Sequence, residues 1–392
     1  MIPGGTSTPT PSRRSFLRAM TAAAGGALAG GVLGRTLARR LADEGPLPTG
    51  ALDVVSMRPL DLATPEIDLA LPFTPNDLFF VRSHHGPPPL ARAGWSLQID
   101  GLADRPLRLS LAELRSFEPV TLPAVLQCSG NGRAFFSPRV PGAQWRRGAV
   151  GQARWTGARL ADILARAGAG TGGPARHVTL RGADEPPLST TPRFVRSIPL
   201  ARALDPSTLV AYAMNGEPLP HLHGAPARLV VPGWVGDDWV KWLQRVTLTD
   251  QEDSGFYMAT AYRLPAPGGT GTEAMTEMPV KSVVARPLDG ATVGVGRHEA
   301  TGVAFSGGAR IERVELSLDE GRSWTRAELD GPDAPGAWRV WRGSWTARAP
   351  GALTLWARAT DARGGTQPAR TPWNRSGYLW NAVDAVRVEV AA

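Results

Sequence analysis

Residues 126–136 read LQCSGNGRAFF and contain Cys128, the only cysteine in the 392-residue chain. Gly and Asn, which favour loops, follow the cysteine, and Arg133 comes five positions later. One cysteine excludes an intrachain disulfide, a cysteine-rich zinc site, an iron–sulfur cluster and a covalently attached haem. From this stretch alone three interpretations stay open: an inert buried thiol, a catalytic nucleophile, or one thiolate ligand of a metal whose other ligands come from a cofactor.

Length and composition point to a globular protein of two domains and a tail. A chain of 392 residues is too long for one small core. Its apolar content of 42% and charged content of 20% are typical of a soluble fold. The high contents of glycine (45) and proline (36) favour strands and loops over long helices.

The positive charge is concentrated at the N-terminus. The formal net charge is +8, and residues 1–40 contain six arginines with no lysine and no acidic residue. Without this segment, 37 basic residues face 35 acidic ones. The rest of the chain is therefore close to neutral, and we predict no nucleic-acid partner.

The same segment resembles a twin-arginine export signal. Residues 12–20 read SRRSFLRAM, and the weakly apolar run TAAAGGALAGGVLG follows at 21–34. This run is too short and too rich in glycine for a stable transmembrane helix, so we predict no membrane span. We predict a periplasmic protein exported by the twin-arginine route, and the sequence leaves open whether the signal is cleaved.

Residues 46–270 are predicted to form an α+β domain with mixed sheets. After a proline-rich extended segment, short strands are expected in GWSLQIDGL, HVTLRGAD, LVAYAMNG and ARLVVPGW. SLAELRSF opens with Ser110 and Glu113, a capping box that predicts a short helix. TGARLADILARAG predicts a second helix that stops at Gly168.

Residues 271–392 are predicted to form an all-β immunoglobulin-like sandwich. RIERVELSLDEGRSWTRAEL alternates apolar and polar residues around a turn at 319–321, and ALTLWARATDARGG and AVRVEVAA alternate in the same way. RLPAPGGTGTEAMTEMPVKS reads as the linker between the domains. The predicted organisation is a signal and linker at 1–45, a catalytic domain at 46–270 and the sandwich at 271–392.

Four segments carry residue types suited to catalysis or ligand binding. In chain order they read FFVRSH (79–84), CSGNGR (128–133), YAMNGEPLPHLHGAPARLVVPG (212–233) and VKW (240–242). Each residue taken singly has an ordinary structural explanation. Together and in this order, the segments resemble the sulfite oxidase family of molybdenum enzymes, over roughly residues 70–392. The resemblance implies a sulfite-oxidase-like molybdopterin domain followed by a dimerisation domain, and hence a homodimer.

The resemblance also implies a cofactor and the residues that hold it. The cofactor is molybdenum bound by molybdopterin, a pyranopterin whose dithiolene supplies two sulfurs while Cys128 supplies a third. The implied cofactor contacts are Phe80, Val81, Arg82, Ser83, His84, Cys128, Asp184, His223, Arg228, Trp239, Val240 and Lys241. The implied catalytic and substrate-binding residues are Arg82, Cys128, Arg133, Trp145 and Tyr212. No segment resembles a haem domain, so we predict no haem in this chain.

Two departures from the family pattern stand near these motifs. Where animal members read G-A-R-H-V-K-W, this chain reads GDDWVKW, with Asp237 and Asp238 in place of a neutral and a basic residue. Where the family often reads W-N-x-R-G, this chain reads WNRSG, with Ser376 at the arginine position and Arg375 one residue earlier. We therefore assign no role to Arg375.

The implied function is that of a periplasmic sulfite dehydrogenase. Sulfite would be oxidised to sulfate by oxygen-atom transfer, and the electrons would pass to a separate acceptor such as a cytochrome c. The linear motifs leave open a molybdenum subunit of a sulfur- or thiosulfate-oxidising complex. A related molybdopterin reductase of sulfoxide or nitrate fits less well, since the sulfoxide type lacks the sandwich and the nitrate type carries haem and flavin domains. A cofactor-free binding protein would make the arginine-lined cysteine loop a coincidence.

Overall fold

The structure is a computed structural model that describes residues 52–170, 172–266 and 270–392. The predicted export signal lies outside the described residues. No helix within these ranges is both long and apolar enough to cross a membrane.

The first part of the described chain consists of short strands joined by loops and a few short helices. The strands are β1 Asp53–Met57, β2 Leu60–Ala63, β3 Val81–Arg82, β4 Ser96–Gly101, β5 Leu107–Ser110, β6 Pro119–Gln127, β7 Val150–Arg159, β8 His177–Gly182, β9 Val195–Pro199, β10 Leu209–Met214, β11 Glu217–Pro218, β12 Arg228–Val230 and β13 Leu243–Thr249. The helices are α1 Leu111–Arg115, α2 Leu160–Arg166, α3 Leu200–Ala203 and α4 Phe256–Ala259. Short 3₁₀ turns lie at Glu66–Asp68, Arg133–Phe135, His221–His223 and Gly236–Asp238.

These strands form the predicted mixed sheets. One sheet has the order β11-β10-β7-β6, with β12 also paired to β10, and a second has the order β5-β4-β13-β8-β9. In the second sheet β13 runs parallel to β4 and antiparallel to β8. A small sheet β1-β2-β3 comes from the segment that the sequence predicted as extended chain. The four predicted strands appear as β4, β8, β10 and β12.

Both predicted helices are present and short. The Ser110 hydroxyl accepts from the amide of Glu113 at 3.2 Å, while the Glu113 carboxylate accepts from the Ser110 amide at 2.8 Å. This reciprocal pair is the predicted capping box of α1. Helix α2 buries Leu160, Ile163 and Leu164 on one face, as their spacing predicts.

The C-terminal part is the predicted all-β sandwich. Its strands are β16 Lys281–Arg286, β17 Ala291–Gly294, β18 Gly296–Phe305, β19 Ile311–Ser317, β20 Thr325–Arg326, β21 Glu328–Asp330, β22 Arg339–Ala347, β23 Gly351–Asp361 and β24 Asp384–Ala391. One sheet has the order β16-β18-β22-β21 and the other β17-β24-β23-β19-β20. Val314, Leu316 and Trp341 are buried between them, as expected from the alternating pattern.

The predicted linker contains a small hairpin, and apolar packing continues past it. Strands β14 Arg263–Pro265 and β15 Thr272–Ala274 pair antiparallel. Phe305 of β18 and Trp338, which precedes β22, belong to the same buried cluster as Trp155 of β7. The sandwich is therefore packed against the mixed sheets by apolar contact, and the described residues make one compact unit.

The chain between β23 and β24 returns to the loop that holds Cys128. The amide of Leu379 donates to the carbonyl of Ser129 at 2.9 Å. A Cβ atom on Gly132 would come within 2.9 Å of the Trp380 side chain, which leaves room only for glycine. The cysteine loop therefore takes its shape from a segment near the C-terminus as well as from its own sequence.

Candidate active site

A pocket opens beside Cys128, between the end of β6, strand β3 and the loops that flank β12. It is lined by most of the residues predicted to contact the cofactor, namely Phe80, Arg82, Ser83, His84, Cys128, Asp184, His223, Arg228, Trp239 and Lys241. Val81 and Val240 are buried in the core and do not line the pocket. Four segments that are far apart in sequence thus meet at one place, which their positions along the chain do not predict.

Cys128 follows β6 directly and is held by its loop. Its amide donates to the carbonyl of Ala149 at 3.0 Å, and the Asn131 side chain accepts from the amide of Ala149 at 3.1 Å. Burial, together with the nearby carboxyl of Asp237, raises the pKa of the Cys128 thiol to about 11, although Arg82 and Arg133 act against the shift. The thiol is therefore neutral at pH 7, and a bound metal would be needed to hold it as thiolate.

Arg82 presents its guanidinium to the pocket. Nη1 donates to Asp61 at 3.1 Å and to the carbonyl of Ser83 at 2.7 Å. Nε and Nη2 have no hydrogen-bond partner among the described residues. Because Asp61 is buried, the ion pair fixes the guanidinium in place while two donors remain for an anion.

A second group of cations lines the same pocket. Buried Arg228 donates to the carbonyls of His223 at 2.9 Å and Trp239 at 3.0 Å, and Lys241 Nζ lies 3.1 Å from the Ser83 hydroxyl and 3.0 Å from the carbonyl of Leu222. Within the described chain neither cation forms a salt bridge. Burial lowers the pKa of Arg228 to about 9, and burial together with Arg228 lowers the pKa of Lys241 to about 7.

This cation pair fits the phosphate of a pterin cofactor. Asp184 lines the same pocket, and burial raises the pKa of its carboxyl to about 6 despite the opposing charge of Lys241. At pH 7 this carboxyl is mostly ionised, but it is one acid facing two basic groups, and an anionic group would compensate the remaining positive charge. Within the described ranges no group of three or more His, Cys, Asp or Glu side chains is arranged to hold a metal ion. A metal at Cys128 would therefore take further ligands from a cofactor.

The two histidines predicted to contact the cofactor are both neutral. Burial lowers the pKa of His223 to about 3, and its Nε2 lies 3.0 Å from the carbonyl of Asn76, so Nε2 carries the proton and donates. Burial and the charge of Arg82 hold the pKa of His84 well below its usual value. The His84 ring stacks on Phe194 with a centroid distance of 4.4 Å.

Three residues predicted for substrate binding do not line the pocket. Arg133 is buried, and it donates to the carbonyls of Ser376 at 3.1 Å and Ala143 at 3.0 Å. Trp145 is fully buried, and its ring lies edge-on to Phe80 at 6.4 Å. Tyr212 lies on β10 under the guanidinium of Arg115, at 5.4 Å.

Tyr212 of the third motif was predicted to lie at the pocket, but the structure places it outside the pocket lining. Tyr262, from the segment between α4 and β14, lines the pocket in its place. Its hydroxyl is near His84, and its ring stacks on Tyr378 with a centroid distance of 5.5 Å. The sequence reasoning missed this residue because it treated RLPAPGG, immediately after Tyr262, as a linker. The sequence offered one signal for it: tyrosine is rare in this chain, with four in all, and Tyr262 stands just before that segment.

Asp237 is a second pocket residue to which the sequence reasoning gave no role. It accepts a hydrogen bond of 3.1 Å from the hydroxyl of Ser129, while Oδ2 has no hydrogen-bond partner among the described residues. Burial raises the pKa of this carboxyl to about 7 even though Arg196 lies near. Its neighbour Asp238 is also buried, in a salt bridge of 2.8 Å with Arg196. Arg375, by contrast, is exposed and does not line the pocket.

Comparison with known protein families assigns both parts of the chain. Residues 84–257 match the oxidoreductase molybdopterin binding domain. Residues 272–391 match the Mo-co oxidoreductase dimerisation domain. The pocket is built largely from the first of these segments.

Similar proteins agree with this assignment. The mitochondrial sulfite oxidase of Macaca fascicularis is 39% identical over 369 residues, which cover 88% of this chain and 67% of that protein. The sulfite oxidase of Arabidopsis thaliana is 33% identical over 371 residues, covering 85% of this chain and 93% of that protein. The crystal structure of the sulfane dehydrogenase SoxCD from Paracoccus pantotrophus matches with a TM-score of 0.78 and 28% identity, over 89% of this chain and 92% of that one. The predicted family is thus confirmed, and the chain belongs to the sulfite oxidase family of molybdenum-cofactor oxidoreductases.

Proposed function

We propose that this protein oxidises sulfite to sulfate by oxygen-atom transfer at a molybdopterin-bound molybdenum that Cys128 ligates. The observation that carries the proposal is the meeting of Cys128, the unpaired donors of Arg82 and the buried pair Arg228–Lys241 in one pocket. The bound cofactor supplies oxygen-atom transfer and accepts two electrons. Sulfite oxidases among the relatives support sulfite as the substrate.

Within this proposal the residues of the chain divide into three tasks. Arg228 and Lys241 bind the phosphate of the pterin, because they are basic groups of the pocket that form no salt bridge within the described chain. Arg82 binds the substrate oxyanion through Nε and Nη2, while the ion pair with Asp61 holds the guanidinium in position. Tyr262 would donate a hydrogen bond toward the substrate from a ring fixed by Tyr378. Arg133 and Trp145 support the pocket from behind its lining.

The acceptor, location and assembly belong to the same proposal. We infer export to the periplasm from the twin-arginine pattern at residues 12–20. The electrons pass to a separate acceptor such as a cytochrome c, because we expect no haem in this chain. The match of residues 272–391 to a dimerisation domain supports a homodimer.

Metal analysis and activity test the proposal together. Protein purified from its native host should contain about one molybdenum per chain and should reduce cytochrome c in a sulfite-dependent way. Cell fractionation should place this activity outside the cytoplasmic membrane. Molybdenum-loaded protein without sulfite-dependent reduction of any added acceptor would refute sulfite as the substrate.

A second candidate substrate is sulfane sulfur, as in a thiosulfate-oxidising complex. The carboxyl of Asp237 lines the pocket. In addition, Ser376 stands where the family often has an arginine, and its carbonyl accepts a hydrogen bond from Arg133. The pocket is therefore less positive than the family pattern implies, which favours a less highly charged substrate. The likeness to the sulfane dehydrogenase SoxCD supports this candidate. Turnover of a protein-bound sulfane that exceeds turnover of sulfite on the same preparation would favour it.

A further inference from the structure

A cleft on the sheet β5-β4-β13-β8-β9 is lined by three arginines and lies apart from the active-site pocket. Arg108, Arg181 and Arg245 line this cleft, which has a volume of about 320 Å³. The loop before β4, including Leu90 and Gly94, forms another wall. Among the described residues no acidic side chain lines the cleft, and none of them lines both this cleft and the active-site pocket.

The register of the sheet places the three arginines in one row. Arg108 on β5 pairs with Gln98 on β4, Gln98 pairs with Arg245 on β13, and Arg245 pairs with Arg181 on β8. Directly paired residues point to the same face of a sheet, and neighbouring strands lie about 4.8 Å apart. The row therefore spans about 14 Å between the outer strands, so that flexible arginine side chains can converge on one small ligand.

The positive charge of this row is compensated only in part. Arg245 forms a salt bridge of 2.6 Å with Asp100, the next residue but one from Gln98 on β4. Arg108 donates from Nε to the hydroxyl of Ser96 at 3.0 Å and has no salt bridge among the described residues. Arg181 has neither a salt bridge nor a hydrogen bond from its side chain within the described chain, and its Nε is buried without a partner.

Glu185, an acidic residue whose pKa the charge of Arg181 affects, is paired with another arginine. The charge of Arg181 contributes to the lowered pKa of Glu185, but that carboxylate is bound by Arg193, whose hydrogen bond is the main cause of the shift. Like charges directly opposite each other destabilise a sheet. Arg181 and Arg245 are such a pair, and one carboxylate serves the three guanidiniums of the row.

We propose that this cleft is a binding site for a multiply charged oxyanion of the sulfate or phosphate type. Such an anion would neutralise the two guanidiniums that have no carboxylate and would accept forked hydrogen bonds from Arg181 and Arg108. Arg181 is the last residue but one of β8, three residues before Asp184 of the active-site pocket. The site is independent of the molybdenum chemistry.

The test counts bound anions directly. Cofactor-loaded protein is dialysed to equilibrium against [³⁵S]sulfate, and separately against [³²P]phosphate, with chloride keeping the ionic strength constant. Arg181→Gln should weaken the binding of one anion per chain by about tenfold or more, the effect of losing a charge-assisted hydrogen bond. Arg108→Gln tests the exposed edge of the cleft and should weaken the same binding event, so that the proposal stays testable if Arg181→Gln fails to fold.

Arg297→Gln is the matched control. Arg297 is exposed on β18 and donates to the hydroxyl of Ser344 on the paired strand at 3.1 Å, as Arg108 does to Ser96. This variant removes the same net charge and should leave both anions bound as in the wild type. Arg82→Gln should affect only the anion in the active-site pocket, which keeps the two sites distinct. Unchanged binding in Arg181→Gln and Arg108→Gln, or an equal loss in Arg297→Gln, would overturn the proposal.

Discussion

The hydroxyl of Tyr262 lies 2.5 Å from Nε2 of His84, with the two rings edge to face at 5.9 Å. His84 is held neutral by burial and by the charge of Arg82, so this is a hydrogen bond between neutral groups. The histidine ring is fixed in turn by Phe194. A residue from the first motif thus orients a tyrosine that lies outside all four motifs.

Removing the hydroxyl of Tyr262 should slow the reaction without unfolding the protein. Tyr262→Phe keeps the ring stacked on Tyr378 and loses both the hydrogen bond to His84 and the one proposed toward the substrate. We expect kcat/KM for sulfite to fall by about ten- to a hundred-fold. Tyr212→Phe is the control and should leave the kinetics unchanged, because the ring of Tyr212, on β10, packs under the guanidinium of Arg115 outside the pocket. Equal kinetic effects in the two variants would contradict the assignment of Tyr262.

Arg82 and Arg133 should differ in what their substitution changes. Arg82→Gln should raise KM for sulfite and weaken inhibition by sulfate, by about one to two orders of magnitude, because two donors to the anion are lost. Arg133→Gln should lower the melting temperature with little effect on KM, because Arg133 holds the carbonyls of Ser376 and Ala143. Steady-state kinetics and thermal melting of both variants separate these effects. A large change in KM for Arg133→Gln would show that it contacts substrate.

Replacing the cysteine should abolish turnover while the pterin stays bound. Cys128→Ser removes the soft ligand but leaves Arg228 and Lys241, which are expected to hold the phosphate. Pterin content is measured by the fluorescence of its oxidised form after release, and turnover by cytochrome c reduction. Sulfite oxidation at the wild-type rate in this variant would rule out ligation by Cys128.

Lys281 should make the stability of the fold depend on pH. It is fully buried at the start of β16, and burial lowers the pKa of its amine to about 7. Between pH 7 and its usual pKa near 10.5 the unfolded chain binds more protons than the native one, so the free energy of unfolding should rise with pH across this window. Below pH 7 the full cost of burying the charge remains.

Lys281→Met removes that titration and tests it. The free energy of unfolding of the variant, measured by urea denaturation at several pH values, should rise less between pH 7 and 10 than that of the wild type. The hydrogen bond from Lys281 to the carbonyl of Asn131, at 3.4 Å, is long and contributes little. Parallel pH profiles for the two proteins would mean that Lys281 stays charged in the native state across this range.

The sandwich should mediate a two-fold dimer. Light scattering at micromolar concentration should give about twice the 41.6 kDa of the chain, or twice the mass of the chain without its signal. Only the monomer mass under these conditions would reject the homodimer.

Local patterns predicted most of the fold, because short-range rules act on neighbouring residues. The capping box at Ser110 fixed the start of α1, and alternation in residues 311–317 predicted β19. The same rules could not place Tyr262, because its role depends on contacts with residues 178 positions earlier and 116 positions later. The motif predicted that Arg133 binds substrate, but Arg133 donates hydrogen bonds to the carbonyls of Ala143 and Ser376, which belong to other segments. The register that aligns Arg108 with Arg181 depends on strand order, which the sequence did not give.

The return of residues 374–380 to the cysteine loop has a consequence for the order of maturation. Leu379 binds Ser129, Arg133 binds Ser376, and Trp380 closes over Gly132. These contacts join the loop to the last twenty residues of the chain. A nascent chain that has not yet reached residue 380 therefore lacks part of the support for Cys128, so the cysteine loop takes its final shape only after this segment has been made. That order suits an export route that carries its cargo already folded.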